Sequence, residues 1–167
     1  MTPSDSDQAI ELESMTSDEL DLYWMAQAID QARIAAQQGE VPVGALVVEE
    51  NRAIGVAYNS PIANHDTTAH AEILALRQAS QLKANYRLPG TTLYVTIEPC
   101  TMCVGALVHA RVERLVFGAR EPRAGAVVSQ LQLLGVESYN HHITFTEGVL
   151  AEECAELLQD FFRARRG

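Results

Sequence analysis

Thr92-Leu93-Tyr94-Val95-Thr96-Ile97-Glu98-Pro99-Cys100-Thr101-Met102-Cys103 is the stretch on which the reading of this chain turns. Its first five residues, Thr92 to Thr96, mix β-branched, aromatic and aliphatic side chains and read as a buried strand. Pro99 reads as the opening residue of a helix running to about Ala110, because the N–H that proline lacks would be unpaired in a first helical turn anyway. Cys100 and Cys103 stand three apart, so on that helix they share a face and can grip one ion. The free N–H groups of a helix start also favour the thiolate forms.

Working upstream, His70-Ala71-Glu72 falls at the start of another helix, about Ala69 to Gln81, which follows a loop from Asn59 to Thr68. Before that loop come two β-rich runs, Val43 to Val48 and Ala53 to Tyr58, with Glu49-Glu50-Asn51-Arg52 reading as a hairpin turn. The first helix begins near Thr16-Ser17-Asp18-Glu19, where Thr16 and Glu19 fit a capping box. Leu22, Met25, Ile29, Ala32 and Ala36 then recur at helical spacing up to Gly39. Downstream, Arg114 to Phe117 reads as a strand ended by Gly118, residues 119–142 as loop with some helix, and Ile143 to Thr146 as a short strand. A last helix, about Leu150 to Arg165, puts Leu150, Cys154, Leu157, Leu158 and Phe161 on one face. A hairpin followed by strands alternating with helices implies a mixed sheet covered on both faces, an α/β domain.

At 167 residues, 47% apolar and 20% charged, the chain has an ordinary globular balance and the length of one domain. We expect residues 1–16 to be an acidic, poorly ordered extension and 17–167 the folded domain. The formal charge of −10 argues against a nucleic-acid partner, but residues 1–21 hold seven acids and no Lys or Arg. The remainder carries 12 bases against 15 acids, and Arg163, Arg165 and Arg166 cluster at its end. Local charge decides whether a phosphate backbone can dock. No apolar run approaches the roughly 20 residues of a membrane span, and the acidic start does not read as an export signal, so a cytoplasmic protein is expected.

Three cysteines make poor arithmetic for a disulfide scaffold, and Cys154 falls in an amphipathic pattern as a small core residue. Cys-x-x-Cys alone could be a structural zinc knuckle or a redox pair. His70-Ala71-Glu72 at a second helix start changes that reading: two thiolates and an imidazole suit zinc, and three protein ligands with one open position is the catalytic pattern. Glu72 then serves as a carboxylate beside the metal that moves protons without ligating it. A structural site would need a fourth ligand, for which only unplaced histidines are available: His65, His109, His141 and His142, each by default a surface or core residue. Phe161-Phe162 reads by spacing as core rather than as a platform for bases.

These motifs resemble the zinc signature of nucleobase deaminases, His-x-Glu with Pro-Cys-x-x-Cys, a family whose signature and mechanism are general knowledge. From about Trp24 to Arg166 the chain is similar to bacterial tRNA-specific adenosine deaminases. The strings that carry this are Glu40-Val41-Pro42-Val43-Gly44-Ala45, Thr68-Ala69-His70-Ala71-Glu72, Glu98-Pro99-Cys100-Thr101-Met102-Cys103, Val116-Phe117-Gly118-Ala119-Arg120 and Phe161-Phe162-Arg163-Ala164-Arg165-Arg166. The resemblance implies a three-layer α/β/α cytidine-deaminase-like fold around a mixed sheet of about five strands, and one Zn2+ per subunit held by His70, Cys100 and Cys103. It implies hydrolysis of adenosine to inosine at the wobble position of a tRNA anticodon, with Glu72 protonating N1 of the base. Asn59 would hydrogen-bond the purine, Asn140 would contact the anticodon loop, and Ala71, Glu121, Phe161, Arg163, Arg165 and Arg166 would complete the substrate surface. A homodimer is implied; a nucleotide cofactor and a membrane are not. Two departures stand out, Glu121 where relatives commonly carry Asp and Thr67 where they carry Pro. The alternatives are a zinc deaminase of a free base or nucleoside, of guanine or cytosine type, and a non-catalytic RNA-binding module with structural zinc.

Overall fold

The computed structural model describes residues 4–166. Five strands, β1 (Gly44–Glu49), β2 (Arg52–Tyr58), β3 (Thr92–Ile97), β4 (Arg114–Ala119) and β5 (Thr144–Glu147), form one sheet in the order β2-β1-β3-β4-β5. β1 runs antiparallel to both β2 and β3, whereas β3, β4 and β5 are mutually parallel, so the sheet is mixed. The helices are α1 (Asp5–Glu13), α2 (Ser17–Gln37), α3 (Pro61–Asn64), α4 (Ala71–Lys83), α5 (Thr101–Ala110) and α6 (Ala151–Arg166), with a 3-10 turn at Leu133–Gly135.

Strand alternation sorts the core into two halves. Ala45, Val47, Leu93, Val95, Leu115 and Phe117 point to one side, where they meet Ala71, Ala75 and Ala79 of α4 and Val104, Leu107 and Val108 of α5. Leu46, Val48, Tyr94 and Val116 point to the other, onto Trp24, Met25, Ala28 and Ile29 of α2 and Cys154 of α6. Helices therefore cover both faces, a three-layer α/β/α arrangement. Each face has one point of closest approach, and glycine makes it possible. A Cβ at Gly44 would stand 2.0 Å from the Ala28 carbonyl oxygen of α2, and one at Gly55 would stand 2.2 Å from that of Ala75 in α4.

The hairpin turn narrows to Glu50 and Asn51, both at positive φ (49° and 57°), as a two-residue type I′ connection requires. At the start of α2 the Thr16 hydroxyl accepts from the Glu19 N–H at 3.2 Å, but the Glu19 carboxylate meets that hydroxyl rather than closing the reciprocal half of a capping box. Gly39, at φ 78°, follows the helix as expected.

Several expectations need correction. The extension anticipated as poorly ordered contains α1, capped by Ser4 and anchored by buried Leu12 against Trp24; residues 1–3 of that extension lie outside the described residues. Asp21, one of the seven acids of residues 1–21, is buried: Tyr94 Oη donates to it at 2.8 Å and Arg114 closes a bidentate pair on it at 2.8 and 2.6 Å. Pro99 lies before α5 rather than inside it, because Cys100 is the N-cap and the Pro99 carbonyl accepts from Ala126. The Asn59–Thr68 loop contains α3, and β4 continues through Gly118 to Ala119. Leu150, at φ 52°, stands just outside α6, and Leu22 is half exposed.

Candidate active site

β3 ends at Ile97, and Glu98-Pro99 carries the chain to Cys100 in extended conformation at the head of α5. His70 holds the same place at the head of α4. Both N-caps use their backbone alone, which frees the side chains for one another. His70 Nδ1 lies 3.6 Å from Cys100 Sγ and 3.5 Å from Cys103 Sγ, and the three atoms fall within 4.8 Å of one another. A tetrahedral zinc with Zn–S near 2.3 Å and Zn–N near 2.0 Å places neighbouring S and N about 3.5 Å apart. The donor set therefore fits such an ion in type and in spacing.

Electrostatics supply a second test of the fit. A hydrogen bond from the Cys103 thiol, reinforced by His70, holds Cys100 down at about 4, which favours its thiolate form. The same contact, burial and the adjacent Glu72 push the Cys103 thiol up. Two thiolates this close share one proton unless a cation lies between them, and a divalent ion there relieves the conflict. His70 is raised by its contact to Cys100. Glu72, in the first turn of α4 and 4% exposed, is raised by burial above the usual carboxylate range, which favours its protonated form.

Two buried glutamates that sequence reasoning left without a role wall this region. Glu40 accepts from the N–H groups of Ile62 and Ala63, at 3.1 and 2.9 Å, and so fixes the loop that delivers His70. Glu98 accepts four backbone N–H groups and a hydroxyl from residues 121–129. Each stands one or two residues before a proline, Pro42 and Pro99, which is the only local sign they give.

The expected substrate residues divide into groups. Ala71 is fully buried beside the candidate ligands, and half-buried Asn59 donates its backbone N–H to Val43. Glu121, Arg165 and Arg166 line one cleft of about 600 Å3, together with Phe162 and with Arg123, which the sequence reading missed. Phe161 stands beside the cleft, its ring 4.4 Å from the Arg165 guanidinium. Arg165 also donates to the Gly39 carbonyl, so it fastens α6 to the end of α2 rather than standing free. Arg163 is exposed and pairs with Asp160 at 3.3 Å. Asn140 does not join this group. It precedes β5 at the opposite end of the parallel strands, where His141 Nε2 meets the Val112 carbonyl at 2.6 Å ahead of β4. Of the other histidines, His65 and His109 are exposed, and no group of three metal-ligating residues among those described includes either.

Known proteins match this chain over nearly its whole length. The family model of the MafB19-like deaminases matches residues 19–166. A tRNA-specific adenosine deaminase of Haemophilus influenzae is 48% identical over 149 residues, 89% of this chain and 86% of that protein. One of Bacillus subtilis is 44% identical over 152 residues, 91% of this chain and 92% of its own length. A structure solved in a study of A-to-I editing by tRNA:A34 deaminases at the wobble position of transfer RNA superposes with a TM-score of 0.79 at 40% identity, covering 81% of this chain and 99% of that one. With a zinc-compatible triad, a buried glutamate beside it and relatives at this identity, the chain belongs to the MafB19-like deaminases and, within them, to the family of tRNA-specific adenosine deaminases.

Proposed function

We propose that this enzyme hydrolyses the amino group of adenosine at the wobble position of a tRNA anticodon, giving inosine and ammonia. The observation that carries the reading is the convergence of His70 Nδ1, Cys100 Sγ and Cys103 Sγ within 4.8 Å at two helix starts, beside buried Glu72 in the first turn of α4, in a chain whose relatives are named for this substrate.

His70, Cys100 and Cys103 would hold one Zn2+ per subunit. Zinc bound there would supply a nucleophile at neutral pH by lowering the pKa of water to about 7. Glu72 takes the proton that water releases and delivers it to N1 of the purine, which removes aromatic electron density and opens C6 to addition. Once the oxygen has added to C6, Glu72 takes the proton of the new C6 hydroxyl and hands it to the amino nitrogen, so that C6=O forms as the C6–N bond breaks and ammonia leaves. Burial supports this role, since a carboxyl raised above its usual range gives up and takes protons within the same pH interval.

Asn59 hydrogen-bonds the purine, and Ala71 packs against it. The target base is flipped out of its stack, which costs least in a loop. Glu121 meets the neighbouring nucleotide, and exposed Arg123, Arg163 and Arg166 hold flanking phosphates, with Phe161 and Arg165 supporting that surface. In this reading the enzyme acts in the cytoplasm as a homodimer. An apolar hollow between α4 and α5, lined by Ile73, Leu76, Ala106 and Ala110 and flanked by Tyr86 at 70% exposure, supports pairing of copies. Asn140, remote from the cleft in its own chain, would reach RNA only at a partner's site. Among the described residues no helix is long and apolar enough to cross a membrane.

The test offers the zinc-loaded protein an anticodon stem-loop alongside free adenosine, guanine and cytosine. Conversion of the stem-loop alone is expected. Turnover of a free base without action on RNA would replace the tRNA reading with that of a small-molecule deaminase.

A further inference from the structure

Glu98 is a buried carboxylate, 3% exposed, that the proposed chemistry does not use. It belongs to none of the ion pairs among the described residues. Its charge is met directly by hydrogen bonds, with Arg120 acting on it only through space. Oε2 accepts the backbone N–H groups of Val127, Val128 and Ser129 at 3.1, 2.8 and 3.0 Å. Oε1 accepts the N–H of Glu121 at 3.1 Å and the Ser129 hydroxyl.

All five donors come from a segment without helix or strand, whose N–H groups have no ladder to pair with. That segment folds instead around one side chain. The Pro99 carbonyl adds a sixth tie by accepting from Ala126 at 2.9 Å. Cys100 is thus preceded by two residues that both clasp the same loop. The loop in turn carries Glu121 and Arg123 into the 600 Å3 cleft, and the Arg123 N–H donates to Glu121 Oε1 at 3.0 Å. The clasp leaves no slack: a Cβ on Gly125 would stand 2.3–2.4 Å from the Glu98 carboxylate.

We propose that Glu98 is a positioning residue for RNA. Its carboxylate gathers residues 121–129 over the junction of β3 and α5 and so fixes where Glu121 and Arg123 stand relative to the candidate metal ligands. The inference rests on the reading of that cleft as the RNA-binding surface.

Glu98→Gln keeps the shape but, whichever way the amide turns, sets an NH2 group against N–H donors. Gly125→Ala disturbs the same contact from the loop side and leaves Glu98 in place. Both variants, zinc-loaded, would be compared with the parent on an anticodon stem-loop. Zinc content and backbone hydrogen exchange would be measured in parallel. Loss of one charge-assisted contact of this kind corresponds to a change of about tenfold or more. The expected result is therefore a KM raised about tenfold or more, a kcat at saturating RNA within about threefold of the parent, unchanged zinc, and faster exchange confined to residues 121–131. A merely structural role would lower kcat and zinc content together and spread the exchange into the sheet. That outcome overturns the proposal, as does an unchanged KM with a loosened loop. If the parent itself does not act on the stem-loop, the RNA reading fails separately, while the exchange measurement still decides whether Glu98 orders the loop.

Discussion

Glu72 and Cys103 sit in the same small volume, both nearly inaccessible to solvent, yet their removal has different expected consequences. On the proposed mechanism, Glu72→Ala takes away only the proton carrier. We expect the variant to keep its zinc and its fold, and to lose inosine formation by a factor of about 10²–10⁴, the usual worth of a positioned acid–base group. Cys103→Ala removes a candidate ligand, so metal content and stability should fall together. A loss of about 2 kcal/mol in a chain of this length lowers Tm by about 4–8 °C. Metal analysis beside a thermal melt separates the two behaviours. Zinc lost from Glu72→Ala, or retained in full by Cys103→Ala, would mean that the ligands are misassigned. Both residues stood out in the sequence because their motifs are local: His70 and Glu72 share one helix start and Cys100 and Cys103 another, although spacing does not report that the two starts meet.

The elements show where local spacing stops being informative. α4 and α5 announce themselves through motifs at their starts, and α2 through a long apolar period. α3 is four residues long, too short for any period, and exists because Glu40, more than twenty residues earlier, accepts its first N–H groups. α1 was hidden by its acidic composition; what secures it is the Ser4 cap and the single buried Leu12. At the start of α2, Thr16→Ala should cost about 1 kcal/mol, visible as a drop in Tm of about 2–4 °C. No change would mean that packing, not the cap, sets that boundary. In α6 the arginines differ although the sequence lists them together. Arg165 is tied to Gly39 and to the Phe161 ring, whereas Arg166 reaches only the carbonyl of Phe162, within its own helix. Arg166→Ala should weaken stem-loop binding and reduce the slope of log affinity against log salt by about 1. Arg165→Ala should in addition speed hydrogen exchange at the end of α6. Equal salt slopes in Arg166→Ala and parent would take that residue off the RNA surface.

At the scale of the molecule, a five-stranded mixed sheet holds the two helix starts that bear the candidate ligands at one end of its strands, and the fold class follows from the order of elements before any contact is known. The contacts that lock the layers do not follow from that order. Asp21, Tyr94, Arg114 and Thr146 meet across separations of 32 to 93 residues and fasten α2 to the sheet. Asp21→Ala should therefore destabilise the fold by about 3 kcal/mol, the lower end for breaking a buried pair, because the Arg114 side chain keeps 27% of its exposure to water. A denaturant titration that finds less than about 1 kcal/mol would reduce the network to a surface pair. Glu98 was quoted in the sequence as part of a motif, but its partners lie 23 to 31 residues away in a loop without periodicity, so no pattern could reveal them.

The most direct test of the account is to incubate unmodified tRNA with the zinc-loaded protein and, separately, with zinc-loaded Glu72→Ala, and then to sequence the RNA. Inosine reads as G, so the account predicts A-to-G changes confined to the wobble position with the parent and their loss with the variant. Unchanged tRNA in the parent reaction, or equal editing by Glu72→Ala, would contradict it.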